Sequence, residues 1–152
     1  MRFILVDRIV DMSPGIYIHA EKTMVAAEDF FRDHFPGFPV VPGVLLTEMM
    51  AQAAGKCLDA ENPSRGKAML VEIRRAGFRD WMLPGQTASI FADIKTSREK
   101  YATAVCRIDI EEKKISSAEL SFSFVSSDRL APDYVDWVLE AYLKKNNAEK
   151  KN

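Results

Sequence analysis

Cysteine is nearly absent: Cys57 and Cys106 are the only two in 152 residues. They are too few and too far apart for a disulfide framework or a Cys-rich zinc site, and both fall in apolar-patterned stretches, so they read as reduced core residues. An excess of either charge is missing too, with 21 Lys and Arg against 22 Asp and Glu. No global field therefore draws the chain to nucleic acid or to a membrane. No apolar run approaches the ~18 residues of a membrane span, and charge interrupts the opening Met1-Arg2-Phe3-Ile4-Leu5-Val6-Asp7-Arg8 too early for a secretory signal. A cytoplasmic protein is expected. Repeats, low-complexity tracts and internal linkers are lacking, and the length suits one domain, with 47% hydrophobic residues to fill its core.

What is present alternates in a readable way. Phe3 to Val10 and Ile16 to Val25 are rich in Ile, Val and Tyr and flank Ser13-Pro14-Gly15, the signature of an opening β-hairpin. Glu28 to His34 allows one helical turn, with Phe30, Phe31 and Phe35 as anchors. From Gly43 to about Ala60 the apolar residues wrap almost the whole circumference of a helix, which marks it as buried. Strands follow at Ala68–Phe78, Thr87–Thr96, Tyr101–Glu111 and Ile115–Ser126, with period-two alternation clearest in Ala102, Ala104, Cys106, Ile108 and Ile110. Leu83-Pro84-Gly85-Gln86 and Glu111-Glu112-Lys113-Lys114 read as turns that make these strands a run of antiparallel neighbours. One long apolar helix is buried most economically by a curved antiparallel sheet wrapped around it, so the expected class is α+β with the hotdog fold. Asp133 to Lys145 predicts an amphipathic helix with Tyr134, Val135, Trp137, Val138, Ala141 and Tyr142 on one face, and Asn146 to Asn152 a frayed tail.

The segment with most chemical content runs from His34 to Gln52. Pro36, Pro39 and Pro42 fix φ and remove N–H donors, while Gly37 and Gly43 allow positive φ or close approach, so the loop should hold one shape. It carries the imidazole of His34 to a helix whose first free N–H groups can hold an oxyanion. Inside that helix Glu48 is a lone carboxylate among leucines and methionines, and Gln52, four residues on, shares its face and can orient it. Burial raises the proton affinity of such a carboxylate, which suits an acid working near neutral pH. His19, on a strand with no evident partner, reads as a surface residue. Arg74, Arg75 and Arg79 gather near a strand end and could form a local basic rim.

His34-Phe35-Pro36-Gly37, Pro39-Val40-Val41-Pro42-Gly43-Val44-Leu45 and Glu48-Met49-Met50-Ala51-Gln52-Ala53 together resemble the 3-hydroxyacyl-[acyl-carrier-protein] dehydratases of the FabZ type. The likeness extends through Leu5-Val6-Asp7-Arg8-Ile9, Gly77-Phe78-Arg79 and Leu83-Pro84-Gly85, roughly residues 3 to 126. It implies a hotdog dehydratase-like domain over residues 1–128, followed at 129–152 by the C-terminal amphipathic helix and flexible tail. It further implies that His34 and Glu48 are the catalytic pair, Gly43 the backbone donor to the thioester carbonyl and Gln52 the support of the acid. Glu rather than Asp at position 48 is similar to the FabZ branch rather than its isomerising FabA relative. The implied reaction dehydrates a (3R)-3-hydroxyacyl thioester on an acyl carrier protein to the trans-2-enoyl thioester, with no metal or organic cofactor. The implied assembly is a homodimer, or a trimer of dimers, in which the His and the acid of one site come from different subunits and the acyl chain lies in a tunnel along the central helix. Phe30, Phe35, Phe38, Met49, Met50, Phe78 and Trp81 are candidate tunnel residues or plain core. Arg74, Arg75 and Arg79 would then face the acidic carrier protein.

The sequence also departs from that pattern. The short leading helix and His/Tyr/Pro stretch usual before Leu5 are not in it; Asp80-Trp81 stands where a basic residue and a Pro are usual, and Gln86 where an Asp is usual. A divergent relative serving a specialised lipid or polyketide-like pathway is one expectation. Two other readings stand beside the dehydratase: a hotdog thioesterase using a carboxylate to activate water at C1, and a non-catalytic acyl-binding subunit.

Overall fold

A helix that is apolar on every side must be enclosed, and helix α1 (Gly43–Glu61) is. The computed structural model describes residues 1–130 and 133–152, so residues 131–132 of the expected C-terminal unit lie outside the description. Around α1 curves a sheet of six strands: β1 (Arg8–Ser13), β2 (Tyr17–Thr23), β3 (Lys67–Phe78), β4 (Thr87–Ser97), β5 (Tyr101–Ile110) and β6 (Lys113–Val125). Their order is β1-β2-β4-β5-β6-β3, and every pairing is antiparallel. This is the α+β hotdog architecture that the apolar girth of the helix demands.

The packing explains the sequence pattern. Leu46, Met49, Met50, Ala53, Ala54 and Leu58 of α1 are sealed from solvent, and each large apolar side chain so buried contributes about 2 kcal/mol. The inward face of the sheet meets them with small residues, Ala88, Ala92, Ala102, Ala104 and Ala118, set among Ile90, Ile108, Leu120 and Phe122. Those alanines let the strands come close to a helix already thick with Met and Leu. The opening hairpin forms as expected, though β1 begins only at Arg8. Its turn is fastened to the far end of α1 by the Gly15 N–H, which donates to the Cys57 carbonyl at 3.0 Å. Gly15 has φ of 72°, and a Cβ there would overlap the Glu61 side chain.

One connection differs from the expected run of neighbours. β3 pairs with β6 at the end of the sheet, not with β4. The cause lies in the turn at Leu83–Gln86, whose backbone serves another partner: the Gly85 N–H donates to the Met24 carbonyl at 2.7 Å and the Met24 N–H to the Gln86 carbonyl at 3.0 Å. The turn thus delivers β4 to the end of β2. Arg79 meanwhile stays with β6 through its N–H to the Ile115 carbonyl at 2.8 Å. The Glu111–Glu112 turn does join adjacent strands, with φ of 50° and 67°, the geometry of a two-residue type I′ hairpin.

The C-terminal helix α2 (Trp137–Lys150) starts later and ends later than the sequence pattern predicts. Asp136 sets the start, its side chain accepting from the Leu139 N–H at 3.1 Å, which leaves Tyr134 and Val135 ahead of the helix. The residues from Asn146 to Lys150 are helical rather than frayed; Ala148, Glu149 and Lys150 are good helix formers, and a Glu140–Lys144 pair at 3.2 Å braces the preceding turn. Leu139 is buried and Val138 and Tyr142 pack on the core, but Trp137 stands 72% exposed, off the packed face. The Tyr142 hydroxyl accepts from the Met12 N–H at 3.0 Å, so α2 covers the otherwise open edge of β1.

Among the described residues, one ion pair joins the N-cap of α2 to the central helix. Lys56 of α1 is buried, and its Nζ meets Asp136 Oδ2 at 2.6 Å. Lys56→Met should leave the Asp136 carboxylate sequestered without its cation and cost about 3 kcal/mol, read as a lower urea midpoint at unchanged slope. Adding Asp136→Asn, which keeps a capping oxygen, should recover a large part of that loss.

Candidate active site

The loop from His34 to Pro42 holds its shape through short-range bonds. The His34 N–H donates to the Phe30 carbonyl at 2.8 Å, Phe35 and Phe38 exchange backbone bonds at 3.0 and 2.9 Å, and the Val40 N–H closes on the His34 carbonyl at 3.0 Å. Gly37 takes φ of 76° at the tip. A short 3-10 helix, Asp29–Arg32, sets the entry, with Phe31 buried beneath it.

His34 is half-buried, its ring stacked on Phe35 at 4.1 Å between centroids. Its Nδ1 lies 3.0 Å from the Val40 carbonyl oxygen. A carbonyl can only accept, so Nδ1 carries the proton and Nε2 of the neutral ring is left as a base. On α1, Gln52 Nε2 donates to Glu48 Oε1 at 3.1 Å, and Gln52 Oε1 accepts from the Leu5 N–H at 2.9 Å. A third contact, from Nε2 to the Phe3 carbonyl at 3.3 Å, completes the amide. The expected hydrogen bond from Gln52 to Glu48 is therefore present, and the lead-in to β1 holds the amide from its other side. Glu48 itself is half-buried, not sealed in the interior.

Gly43 opens α1 behind Pro42, and among the described residues its N–H and that of Val44 meet no acceptor within the chain. Such free first-turn N–H groups can hold a developing oxyanion. The Phe78 ring lies against Gly43, where an added Cβ would come within 3.2 Å of it. No hydrogen bond joins His34 to Glu48 within one chain. Of the candidate tunnel residues, Met49 and Met50 are plain core, while Phe35, Phe38, Phe78 and Trp81 stand exposed, Trp81 edge-on to Phe38 at 5.1 Å.

The arginine set divides. Arg75 and Arg79 line a shallow groove with Lys114 and Glu119, and Arg74, which falls at a bulge in the β3–β6 register, does not line it. Asp80 pairs with Lys113 at 2.5 Å and caps the Trp81 N–H at 2.8 Å; the hydrogen bond from Lys113 holds its carboxyl below the usual range. Gln86 closes its own turn by accepting from the Leu83 N–H at 2.7 Å. Both departures thus stabilise local turns.

Sequence reasoning missed a buried ion pair on the same face of the helix. Lys56 follows Glu48 and Gln52 at the same four-residue spacing, a signal present in the sequence, and Asp136 is its partner from far along the chain. His19 is also not a plain surface residue: it is half-buried, stacks on Phe91 at 4.3 Å and leaves its Nε2 without a partner among the described residues, and burial lowers its proton affinity. Among the described residues no group of three or more His, Cys, Asp or Glu could hold a metal, and no helix is long and apolar enough to cross a membrane.

Fold and site define a hotdog protein with an oriented imidazole, an amide-held carboxylate and an open helix N-terminus. A family model described as a FabA-like domain matches residues 1–119. The 3-hydroxyacyl-[acyl-carrier-protein] dehydratase FabZ of Levilactobacillus brevis is 35% identical over 126 residues, covering 82% of this chain and 85% of its own. The corresponding FabZ of Ruminiclostridium cellulolyticum is 31% identical over 126 residues, 82% and 89% of the two chains. The chain belongs to the FabA-like family, and its similarity places it with the FabZ-type dehydratases. Among solved structures, the dehydratase heterocomplex ApeI:P from Xenorhabdus doucetiae superposes with a TM-score of 0.67 at 18% identity, over 84% of this chain and 87% of that one. A hypothetical thioesterase with coenzyme A from Streptococcus pneumoniae superposes at 0.61 with 9% identity, over 78% and 85%. At these identities the structural likeness speaks for the fold alone.

Neither cysteine belongs to this site. Burial pushes the Cys57 thiol up to about 11 and the Cys106 thiol up to about 12. A raised thiol stays neutral, and therefore a poor nucleophile, throughout the physiological range. A colorimetric thiol reagent should find no reactive thiol in the native protein at neutral pH and both after denaturation.

Proposed function

We propose that the chain is a hydro-lyase that removes water from a (3R)-3-hydroxyacyl thioester carried on an acyl carrier protein, in fatty-acid or related lipid biosynthesis. The carrying observation is His34 Nδ1 seated on the Val40 carbonyl, which reserves Nε2 as the base. Nε2 takes a proton from C2, and the electron pair moves toward the thioester carbonyl, whose oxygen gains charge opposite the free Gly43 N–H. The pair then forms the C2–C3 double bond as the C3–O bond breaks, and Glu48 gives its proton to the departing hydroxyl, which leaves as water. His34 ends protonated and Glu48 ionised, and solvent returns the proton between them. Gln52 keeps the carboxylate aimed throughout. The product is the trans-2-enoyl thioester, and no step calls on a cofactor. A thioesterase has less support, because His34 and Glu48 both stand where the family's motif has its pair.

The working unit in this reading is a homodimer. β3 is an edge strand along which Met69, Val71 and Ile73 lie exposed, Val71 at 60%. An open edge of that kind is a pairing surface for a second copy about a two-fold axis. Such a pair would bring His34 of one subunit to Glu48 of the other. Arg75 and Arg79, beside Lys114, offer positive charge to an acidic carrier protein, with Arg74 at the margin. A cytoplasmic setting fits these partners.

Hydration of a crotonyl carrier-protein thioester, followed by mass spectrometry, reads the reaction in reverse. The wild type should add one water, and His34→Ala and Glu48→Gln should each slow this by about 10²–10⁴-fold while leaving the folded dimer intact. Loss of folding in place of activity would return both residues to structural roles. Release of free acid would point to the thioesterase.

A further inference from the structure

The lead-in to β1, Phe3 to Asp7, belongs to no strand, yet Leu5 and Val6 are sealed from solvent. Among the described residues, the backbone hydrogen bonds of Phe3–Val6 all go to one side chain, the Gln52 amide of α1. The Leu5 N–H can only donate, so it fixes the amide oxygen toward itself at 2.9 Å. The Nε2 protons are thereby turned elsewhere, one to the Phe3 carbonyl at 3.3 Å and one to Glu48 Oε1 at 3.1 Å. A flipped amide would set its NH2 against an N–H and its oxygen against two acceptors. Backbone geometry thus chooses which way Gln52 faces.

The lead-in is itself held from its far end. The Asp7 N–H donates to the Glu21 carbonyl at 2.8 Å, and the Asp7 carboxylate accepts from the Thr23 N–H at 2.8 Å and from Lys22 Nζ at 2.8 Å. These bonds tie the lead-in to the end of β2 and, through Leu5, reach Gln52 and Glu48. We propose that Asp7 is a positioning residue for the reaction: by anchoring the lead-in it fixes the Gln52 amide, which places the acidic proton of Glu48 on Oε2. The inference rests on the dehydratase reading above. Its chemical content is the choice of oxygen. When Glu48 is protonated, the oxygen that accepts an N–H is its carbonyl oxygen, because the hydroxyl oxygen is the weaker acceptor. Oε1 is taken by Gln52 Nε2, so the proton sits on Oε2, to which nothing among the described residues donates. The Oε2–H bond then breaks toward the departing hydroxyl, which leaves as water, and Oε1 stays on the amide before and after the transfer. A lead-in released from β2 lets the amide turn, and its oxygen then competes with the substrate for that same proton.

A double-mutant cycle on hydration of the crotonyl carrier-protein thioester separates this from a general structural effect, with circular dichroism verifying that each variant is folded. Asp7→Ala should lower kcat by about 10- to 100-fold, the scale on which a small misplacement far from the chemistry acts, with KM little changed. Asp7→Asn, which keeps an oxygen for the Thr23 N–H, should restore most of that rate. In a Gln52→Met background, already slow, Asp7→Ala should change kcat by less than about twofold, since the amide through which it acts is gone. Backbone amide exchange of Leu5, read by NMR in the intact protein, checks the geometry without turnover: the protection of the wild type should be lost in Gln52→Met. A Leu5 amide unprotected in the wild type would overturn the proposal and leave the dehydratase reading standing. So would a folded, fully active Asp7→Ala, or a loss of equal size with and without Gln52. An inactive wild type would overturn that reading and the proposal with it.

Discussion

Every part of this molecule answers to the need to enclose α1, a 19-residue helix with apolar residues on all sides. Enclosure accounts for the curvature of the sheet and the alanines on its inner face. It also decides what polar residues on the helix can do. Glu48, Gln52 and Lys56 cannot simply be left in a core, so each must find a partner. Gln52 finds three, Glu48 and the backbones of Leu5 and Phe3, and Lys56 finds Asp136. A structural requirement, that buried polar groups be satisfied, thereby becomes a device for aiming a carboxylate.

The loop ahead of the helix orients an imidazole in a complementary way. Proline spacing stiffens it, and the Val40 carbonyl takes the Nδ1 proton of His34, so the tautomer is set by backbone geometry rather than by a second side chain. The same loop ends at Pro42, which opens α1 with unpaired N–H groups at Gly43 and Val44. The oriented imidazole, the amide-held carboxylate and the free N–H groups thus belong to one continuous segment, and the sheet serves to hold that segment in place. The wrap itself is common, shared with solved structures of a dehydratase heterocomplex and a hypothetical thioesterase, so the fold alone does not choose a chemistry.

Much of this was legible in the sequence, for reasons that can be named. Helix α1 declared itself by its uniform apolarity, β5 and β6 by strict alternation, and the turn at Ser13-Pro14-Gly15 by residue type, all of them local signals. The hydrogen bond between Gln52 and Glu48 follows from their four-residue spacing alone. What stayed hidden was long-range. The turn motif between β3 and β4 points to their pairing, whereas the hydrogen bonds of that turn belong to Met24. Lys56 carried the right spacing, but its partner Asp136 lies 80 residues on, beyond any periodicity argument. A terminal position predicts fraying, yet residues with good helix propensity, behind a capped start, continue a helix already docked by Leu139 and Tyr142.

The central claim is that one working site takes its base from the loop of one copy and its acid from the central helix of another. Mixing purified His34→Ala and Glu48→Gln proteins, after mild dissociation and reassociation, tests it most directly. Random exchange makes half the dimers mixed, each with one intact and one doubly defective site, so hydration of the crotonyl thioester should return to about a quarter of the wild-type rate. Activity that stays at the level of the separate variants, with subunit exchange verified by native mass spectrometry, would contradict the claim.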